Sequence, residues 1–330
     1  MLNLPAGIAA TIAPTLGGII TDGSMGWRGL FWICVPIVLI SGGLVAAGIP
    51  GRTQKVEQRV DTLGVIVMVI ASATLIFGFS WVGAPGKVGL GIGMIASSVV
   101  AWIGFIMVEK KAKAPILDLQ VLFNRTFITA AGAGFMSLFG LLGVMIYSPI
   151  FAQNVMAVSP TVSGSMLTPF SMLMAFMGVP AGFLMAKTRK YKWMYIAGYA
   201  ILTVAMFVMW QFTAETPIWL FVLITALVGF GNSVMPTINT LVAQFAVPRR
   251  LLGVSIGAMF FFVMMGMAIA PAILGLVQNS APDLEDGLKL IFLVGAIGMA
   301  ASLLMVITIP EVSMDVEVAD KQAALIESPP

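Results

Sequence analysis

The stretch AGIAATIAPTLGGIITDGSMGWRGLFWICVPIVLI, residues 6–40, begins with an apolar helix that carries small residues four positions apart, at Ala9, Ala13 and Gly17. Residues at this spacing share one face, and a face without bulk lets a second helix approach closely, which is how helices associate in lipid. Pro14 removes one backbone donor and bends the helix, which membranes tolerate when a neighbour satisfies the freed carbonyl. After a short polar turn a second apolar helix follows. The stretch therefore predicts a bent, closely packed helix in a membrane bundle.

Composition places the whole chain in a bilayer. Of its 330 residues 59% are hydrophobic and 9% charged, and the mean hydropathy is +1.04, which is too apolar for one soluble core. The chain has no histidine for metal binding or catalysis, and no GxxxxGK[ST] sequence that could bind ATP. Its one cysteine, Cys34, lies in an apolar helix and is assigned to packing. We therefore expect a membrane protein that is not an enzyme and uses no metal, cofactor or nucleic acid.

Ten apolar runs are long enough to cross a hydrocarbon core, which takes roughly 20 helical residues. They predict an all-α polytopic membrane protein with about ten transmembrane helices, at residues 3–21, 29–49, 63–82, 88–108, 127–152, 160–186, 193–212, 217–244, 253–278 and 288–309.

Basic residues are distributed unevenly between the two sides of these runs. Thirteen lie in the loops after the second, fourth, sixth and eighth runs, and the opposite side holds three, Arg28, Lys87 and Lys289. By the positive-inside rule the first set faces the cytoplasm. The distribution predicts a multi-pass protein of the cell (inner) membrane with a cytoplasmic C-terminus.

The opening stretch resembles the antiporter motif of the major facilitator superfamily, and specifically its fourteen-helix drug:H+ antiporter branch. In that branch the fifth helix ends in GP-x-x-GG before W-R-W-x-F-x-x-x-x-P. The matching residues are Pro14, Gly17, Gly18, Trp27, Arg28, Phe31 and Pro36. Ala9 and Ala13 replace two glycines of the motif, and Gly29 replaces its second tryptophan. The resemblance implies a major facilitator fold that starts at the family's fifth helix and lacks the first four.

An internal similarity supports an architecture of two halves. The sequence Ile12-Ala13-Pro14 returns as Ile269-Ala270-Pro271 eight helices later, and glycines follow both copies. Two six-helix halves separated by two inserted helices would place corresponding helices at this distance. We divide the chain into a remnant of the N-terminal bundle, an inserted helix pair, a cytoplasmic linker, a six-helix C-terminal half and a cytoplasmic tail, at residues 1–49, 50–109, 110–126, 127–310 and 311–330.

Uncharged polar residues inside the apolar runs are candidates for a substrate cavity. Thr225, Asn232, Pro236 and Asn239 are spaced to share one helix face. Such a face suits a cavity wall and hydrogen bonding between helices equally well.

A second set of candidates, Gln153 and Asn154, lies in residues 146–170, IYSPIFAQNVMAVSPTVSGSMLTPF. This segment resembles the branch signature Q-x-V-x-G-x-S-P-x-x-x-G-x-x-x-x-P, with Ala157 where the signature prefers glycine. We interpret it as a turn outside the bilayer or as an outer gate. No acidic residue falls inside a run, so the carboxylate that would exchange protons is not expected in this chain.

The resemblance implies a secondary active transporter that exports lipophilic or cationic drugs in exchange for protons. Its partners would be a small-molecule substrate, the lipid bilayer and protons. One alternative is a facilitator-type importer of a small metabolite. Another is a non-transporting assembly or sensor subunit, or an inactive fragment, which the absence of membrane-embedded charge favours. Analogy of fold alone does not choose among these functions.

Overall fold

The computed structural model describes residues 28–48, 61–84, 86–111, 117–188, 190–248 and 251–309. It also describes seven residues before them: Ile12, Ala13, Leu16, Gly17, Ile19, Ile20 and Gly26. Three of the residues that match the antiporter motif, Pro14, Gly18 and Trp27, lie outside the described residues, as do Ala9 and the segment 310–330.

Every described regular element is helical. The elements are α1 (Arg28–Gly48), α2 (Thr62–Val82), α3 (Val88–Glu109), α4 (Leu119–Leu122), α5 (Arg125–Leu142), a π-helical turn (Gly143–Tyr147), α6 (Ser148–Asn154), α7 (Pro160–Phe176), α8 (Gly178–Thr188), α9 (Lys192–Trp210), α10 (Ile218–Asn232), α11 (Met235–Phe245), α12 (Leu252–Ser280) and α13 (Leu284–Thr308).

Nine of the ten expected spans are confirmed within the described part of the chain. Helical segments of 19–30 residues are long and apolar enough to cross a membrane at each of the nine positions. The remaining expected span, residues 3–21, falls largely outside the described residues. Three spans consist of consecutive shorter helices, which the sequence did not predict: α5, the π turn and α6; α7 and α8; and α10 and α11.

Helices α2 and α3 form a tight hairpin. A Cβ atom on Gly91 would lie 2.6 Å from the Val82 nitrogen and 2.8 Å from the Gly78 carbonyl oxygen, so only glycine fits at this contact. The hydroxyl of Ser98 donates a hydrogen bond of 2.7 Å to the Ala71 carbonyl across the hairpin. In lipid the hydrophobic effect does not hold helices together, so close packing of the backbones and hydrogen bonds from hydroxyl groups stabilise the hairpin.

The hairpin packs against α12 through aromatic rings. The centroid of the Trp102 ring lies 5.7 Å from that of Phe261 and 5.5 Å from that of Phe105, both in edge-to-face geometry. Aromatic pairs favour this arrangement because the positive ring edge meets the negative ring face. Phe105 is buried at this junction.

The six spans after residue 124 form one bundle, in which hydrogen bonds join neighbouring helices. The hydroxyl of Ser302 on α13 donates to the Ala133 carbonyl on α5 at 2.8 Å, and Ser255 on α12 donates to Ala243 on α11 at 2.5 Å. The core near α6 is aromatic, with the Phe151 ring centroid 5.9 Å from that of Phe292. The bundle is therefore stabilised by packing and by polar ties between helices.

Two parallel spans of this bundle break beside each other. Helix α7 ends at Phe176, and α10 ends at Asn232. Prolines follow both breaks, at Pro180 and Pro236, and each lacks the backbone donor that a continuous helix would use. A Cβ on Gly178 would lie 3.2 Å from the Ser233 carbonyl oxygen, so the two breaks are in contact.

Candidate functional site

A cleft of about 420 Å³ lies where the antiporter-like stretch meets the first two spans of the six-span bundle. Its walls come from that stretch, from the π turn, and from α6 and α7, and are lined by Gly17, Met145, Pro149, Gln153, Pro160, Ser163, Gly164, Leu167, Phe170 and Ser171. The fold thus brings together two sequence signals, Gly17 and Gln153, that lie far apart along the chain.

The polar groups of the cleft form a short hydrogen-bonded chain. The Gln153 amide nitrogen Nε2 donates to the Ser163 hydroxyl at 2.8 Å, and that hydroxyl donates to the Pro160 carbonyl at 2.9 Å. These bonds hold the carboxamide in place on the cleft wall. None of the described residues that line the cleft is charged. A mainly apolar cavity with a few placed polar groups is the usual form of a small-molecule site.

The hairpin beside the cleft is a tight turn. Ala157 has a φ angle of +56° and is the one non-glycine residue in the described part of the chain with a positive φ. This left-handed conformation is strained for alanine and relaxed for glycine, which explains why the branch signature prefers glycine there. The Ser159 hydroxyl then accepts a hydrogen bond from the Val162 amide at 3.3 Å and begins α7. The turn interpretation of this segment therefore has a geometric basis.

Asn154, the second candidate of the hairpin, lies outside the cleft. Its amide nitrogen donates to the Ile150 carbonyl at 3.0 Å, within its own helix. Its side chain is exposed and faces a polar surface depression that includes Asp283 and Asp286 at the start of α13. Asn154 therefore differs from Gln153, its neighbour, which points into the cleft wall.

The four candidates of the eighth apolar run do not share one face. The run breaks after Asn232, and the phase of the helix changes when α11 begins. Thr225, Asn232 and Asn239 are buried, whereas Pro236 is exposed. The Thr225 hydroxyl donates to the Phe221 carbonyl of its own helix at 2.9 Å. None of these four candidates lines the cleft, so a cavity wall formed by them stays a prediction.

Asn239 instead joins three helices. The Tyr195 hydroxyl on α9 donates to the Asn239 side-chain oxygen on α11. The Asn239 nitrogen Nδ2 would lie 3.2 Å from a Cβ on Gly134 of α5, so the amide packs directly on that backbone. The centroid of the Tyr199 ring is 5.3 Å from that of Tyr195. This buried cluster agrees with one of the two roles predicted for Asn239, hydrogen bonding between helices.

Sequence reasoning missed both tyrosines of this cluster, although their spacing of four residues on a helix was a usable signal. It also missed the burial of Glu109, the last residue of α3, which is 3% exposed. The Glu109 carboxylate accepts a hydrogen bond of 2.5 Å from the Leu117 amide. Glu109 therefore connects the linker to the hairpin from the end of α3.

The antiporter-like stretch is only partly described. Ala13 and Gly17 are helical, Ala13 is exposed, and Arg28 begins α1. Among the described atoms, the nearest to a Cβ on Gly17 would be Leu30 Cδ2, at 4.0 Å. This is an ordinary contact distance, so the close helix packing expected at Gly17 is not present among these residues.

Comparison with known proteins identifies a family and several relatives. A sequence profile of the Major Facilitator Superfamily matches residues 1–271. Multidrug transporter protein MdtP of Bacillus subtilis (strain 168) is 29% identical over 276 residues, which are 83% of this chain and 51% of that protein. Multidrug resistance protein 3 of the same organism is 28% identical over 303 residues, 88% of this chain and 57% of that protein.

A third relative is multidrug resistance protein Stp of Mycobacterium tuberculosis, 25% identical over 276 residues, 82% of this chain and 50% of that protein. The chain spans about half the length of these relatives. The profile covers most of the chain, and the described residues form the bundle of apolar helices that the family requires. The chain therefore belongs to the Major Facilitator Superfamily.

Proposed function

We propose that the chain is the part of a proton-coupled multidrug exporter that runs from the fifth helix of a fourteen-helix antiporter onward. The observation that carries the proposal is the cleft between Gly17, in the antiporter-like stretch, and Gln153, in the six-span bundle. Substrate sites of such transporters lie between the two halves, which rock around them. The names of the relatives support drug export.

The walls of the cleft favour lipophilic substrates. Leu167, Phe170 and Met145 supply apolar surface, and methionine adapts to ligands of varied shape. Gln153 and Ser163 offer hydrogen bonds without charge. A lipophilic molecule, including one with a delocalised positive charge, can enter such a cleft without leaving a buried carboxylate or lysine unpaired.

The proposed organisation follows the division made from the sequence. Residues 1–49 belong to the N-terminal bundle, 50–109 to the inserted pair, 110–126 to the cytoplasmic linker, 127–310 to the second half and 311–330 to the tail. The basic loops face the cytoplasm, and the protein lies in the cell (inner) membrane with a cytoplasmic C-terminus. In this orientation the hairpin and the cleft lie toward the outer surface.

The test measures export of a fluorescent lipophilic cation from cells that produce the protein from its full reading frame. The variant Gln153→Leu keeps the volume of the side chain and removes its hydrogen bonds. Because one hydrogen bond contributes about 0.5–1.5 kcal/mol, we expect apparent affinity for hydrogen-bonding drugs to fall by roughly two- to tenfold. The exposed Gln211 at the end of α9 provides the matched control, Gln211→Leu.

A protonophore separates coupling from binding, because it should abolish export by the unmodified protein. Export that persists without a proton gradient would contradict proton coupling. Accumulation of the dye inside energised cells would instead favour the importer. Equal apparent affinities of Gln153→Leu and Gln211→Leu for hydrogen-bonding drugs would contradict the proposal that the cleft is the substrate site.

A further inference from the structure

A second cavity, of about 250 Å³, lies below the two helix breaks and shares no lining residue with the cleft. It is bounded by α8, α9 and the junction of α10 with α11, and its walls include Met177, Pro180, Leu184, Trp193, Ala197 and Phe230. The one hydroxyl in the lining, that of Ser233, donates to the Phe230 carbonyl at 2.6 Å. The cavity is thus apolar, and its hydroxyl already has a partner.

The cavity opens to the outer surface of the bundle. Leu184 is 41% exposed, Trp193 49% and Phe230 43%, although all three line the cavity. In a membrane, apolar side chains on the outside of a bundle contact lipid chains. The natural neighbour of this opening is therefore the acyl region of the bilayer.

Three lysines are close in sequence to residues that line the cavity. Lys187 follows Leu184 by three residues on α8, and such residues lie close together on a helix surface. Lys192 directly precedes Trp193, and Lys190 lies two residues before Lys192; Lys187 and Lys190 are exposed. A tryptophan beside basic residues is typical of the boundary between lipid and water.

These lysines have no carboxylate at their end of the six-span bundle. Within residues 119–309 the acidic residues are Glu215, Asp283, Glu285 and Asp286. They follow α9 or begin α13, which places them at the opposite membrane surface because successive spans alternate in direction. Among the described residues 119–309, the lysine end therefore carries positive charge only, next to an apolar opening; Asp118, at the start of α4, lies in the linker on the same side.

We propose that this cavity holds one acyl chain of an anionic phospholipid, whose headgroup contacts Lys187, Lys190 and Lys192. The apolar walls match the chain, and the lysines match the negative headgroup. Anionic lipids concentrate in the cytoplasmic leaflet and attract basic residues near its surface, so the site relies on the proposed orientation but not on drug transport. A cationic drug is disfavoured there because the same lysines repel it.

The test compares two lipids with identical dioleoyl chains, phosphatidylglycerol and phosphatidylcholine. The chain is purified in mild detergent, and the bound lipids are counted by native mass spectrometry across a titration of each lipid. Ala197→Phe fills the cavity, and Val204→Phe, on the exposed side of the same helix, is its control. Lys187→Gln/Lys190→Gln removes two charges, and Lys110→Gln/Lys111→Gln removes two exposed charges elsewhere.

We expect one phosphatidylglycerol to bind at least tenfold more tightly than phosphatidylcholine, because each nearby lysine favours the anionic headgroup severalfold. Ala197→Phe should lose this lipid, and Lys187→Gln/Lys190→Gln should lose most of the preference, whereas both controls keep them. The lysine variant changes exposed residues and does not threaten the fold. Equal binding of the two lipids, or wild-type preference in Lys187→Gln/Lys190→Gln, would overturn the proposal. Saturation of the cavity by a lipophilic drug with no lipid bound would overturn it as well.

Discussion

Replacing Gly229 with alanine tests whether backbone contact between α7 and α10 holds the six-span bundle together. A Cβ at this position would lie 2.2 Å from the Phe170 carbonyl oxygen and 3.0 Å from its Cα. To reach the 3.4 Å at which ordinary contacts begin, the oxygen contact must open by about 1.2 Å. Backbone atoms cannot turn aside as a side chain can, so the two helices must separate. Overpacking of this kind costs about 1–3 kcal/mol, and we expect the free energy of unfolding to fall by about 2 kcal/mol.

Gly257 on α12 gives the matched control, because a Cβ there would meet no described atom within 4 Å. The same change at Gly257 improves helix propensity by up to about 1 kcal/mol and should leave stability equal or higher. Both variants are unfolded in mixed micelles with increasing denaturing detergent, and tryptophan fluorescence reports the transition. If Gly229→Ala and Gly257→Ala unfold at the same detergent concentration, α7 and α10 do not approach each other as closely as the distances at Gly229 require.

Three further changes test other parts of the molecule. Ala157→Gly should raise the free energy of unfolding by about 0.5 kcal/mol, because relief of left-handed strain exceeds the added entropy of the unfolded chain. The control Ala96→Gly, on the exposed face of α3, should lower the free energy of unfolding. Loss of stability at both positions would contradict the turn geometry. Tyr195→Phe removes the donor to Asn239 and should cost about 1 kcal/mol in the same unfolding assay; a second change at Asn239 should then cost much less than it does alone, and full additivity would show that the bond is absent. A reporter enzyme fused after Pro330 should be active only if it is a type that works in the cytoplasm; activity of a periplasmic reporter would reverse the proposed topology.

The spans could be predicted from sequence because they depend on local properties. Twenty apolar residues in succession form a helix in lipid whatever surrounds them, since the backbone must satisfy its own hydrogen bonds. The breaks at Met177 and Ser233 could not be placed in this way. Proline marks a position where a helix lacks one backbone hydrogen bond. Whether the helix breaks there depends on its contacts with neighbouring helices, which in this bundle include the contact between Gly178 and Ser233.

The candidate site was predictable only in part, for the same reason. The hairpin signature identified Gln153, but its partner Ser163 and the approach of Gly17 depend on tertiary structure. The two copies of the internal similarity show the limit clearly. Ala270 is fully buried in α12, whereas Ala13, at the equivalent position of the first copy, is exposed among the described residues. The same three-residue motif thus lies in two different environments, which the amino-acid sequence alone does not distinguish.

The paired breaks constrain how the six-span bundle can move. Helices α7 and α10 are fixed against each other at Phe170 and Gly229, where their backbones touch. Below this contact both spans break, and Gly178 rests on the Ser233 carbonyl. If α8 bends at its break, this contact pushes the start of α11, so the two lower segments must bend together or lose the contact. Hinges in transporters absorb motion at a few such residues. Because Met177 and Ser233 also line the cavity beside the lysines, a lipid chain held there would resist this joint bending, and the occupancy of the cavity and the position of the lower segments would depend on each other.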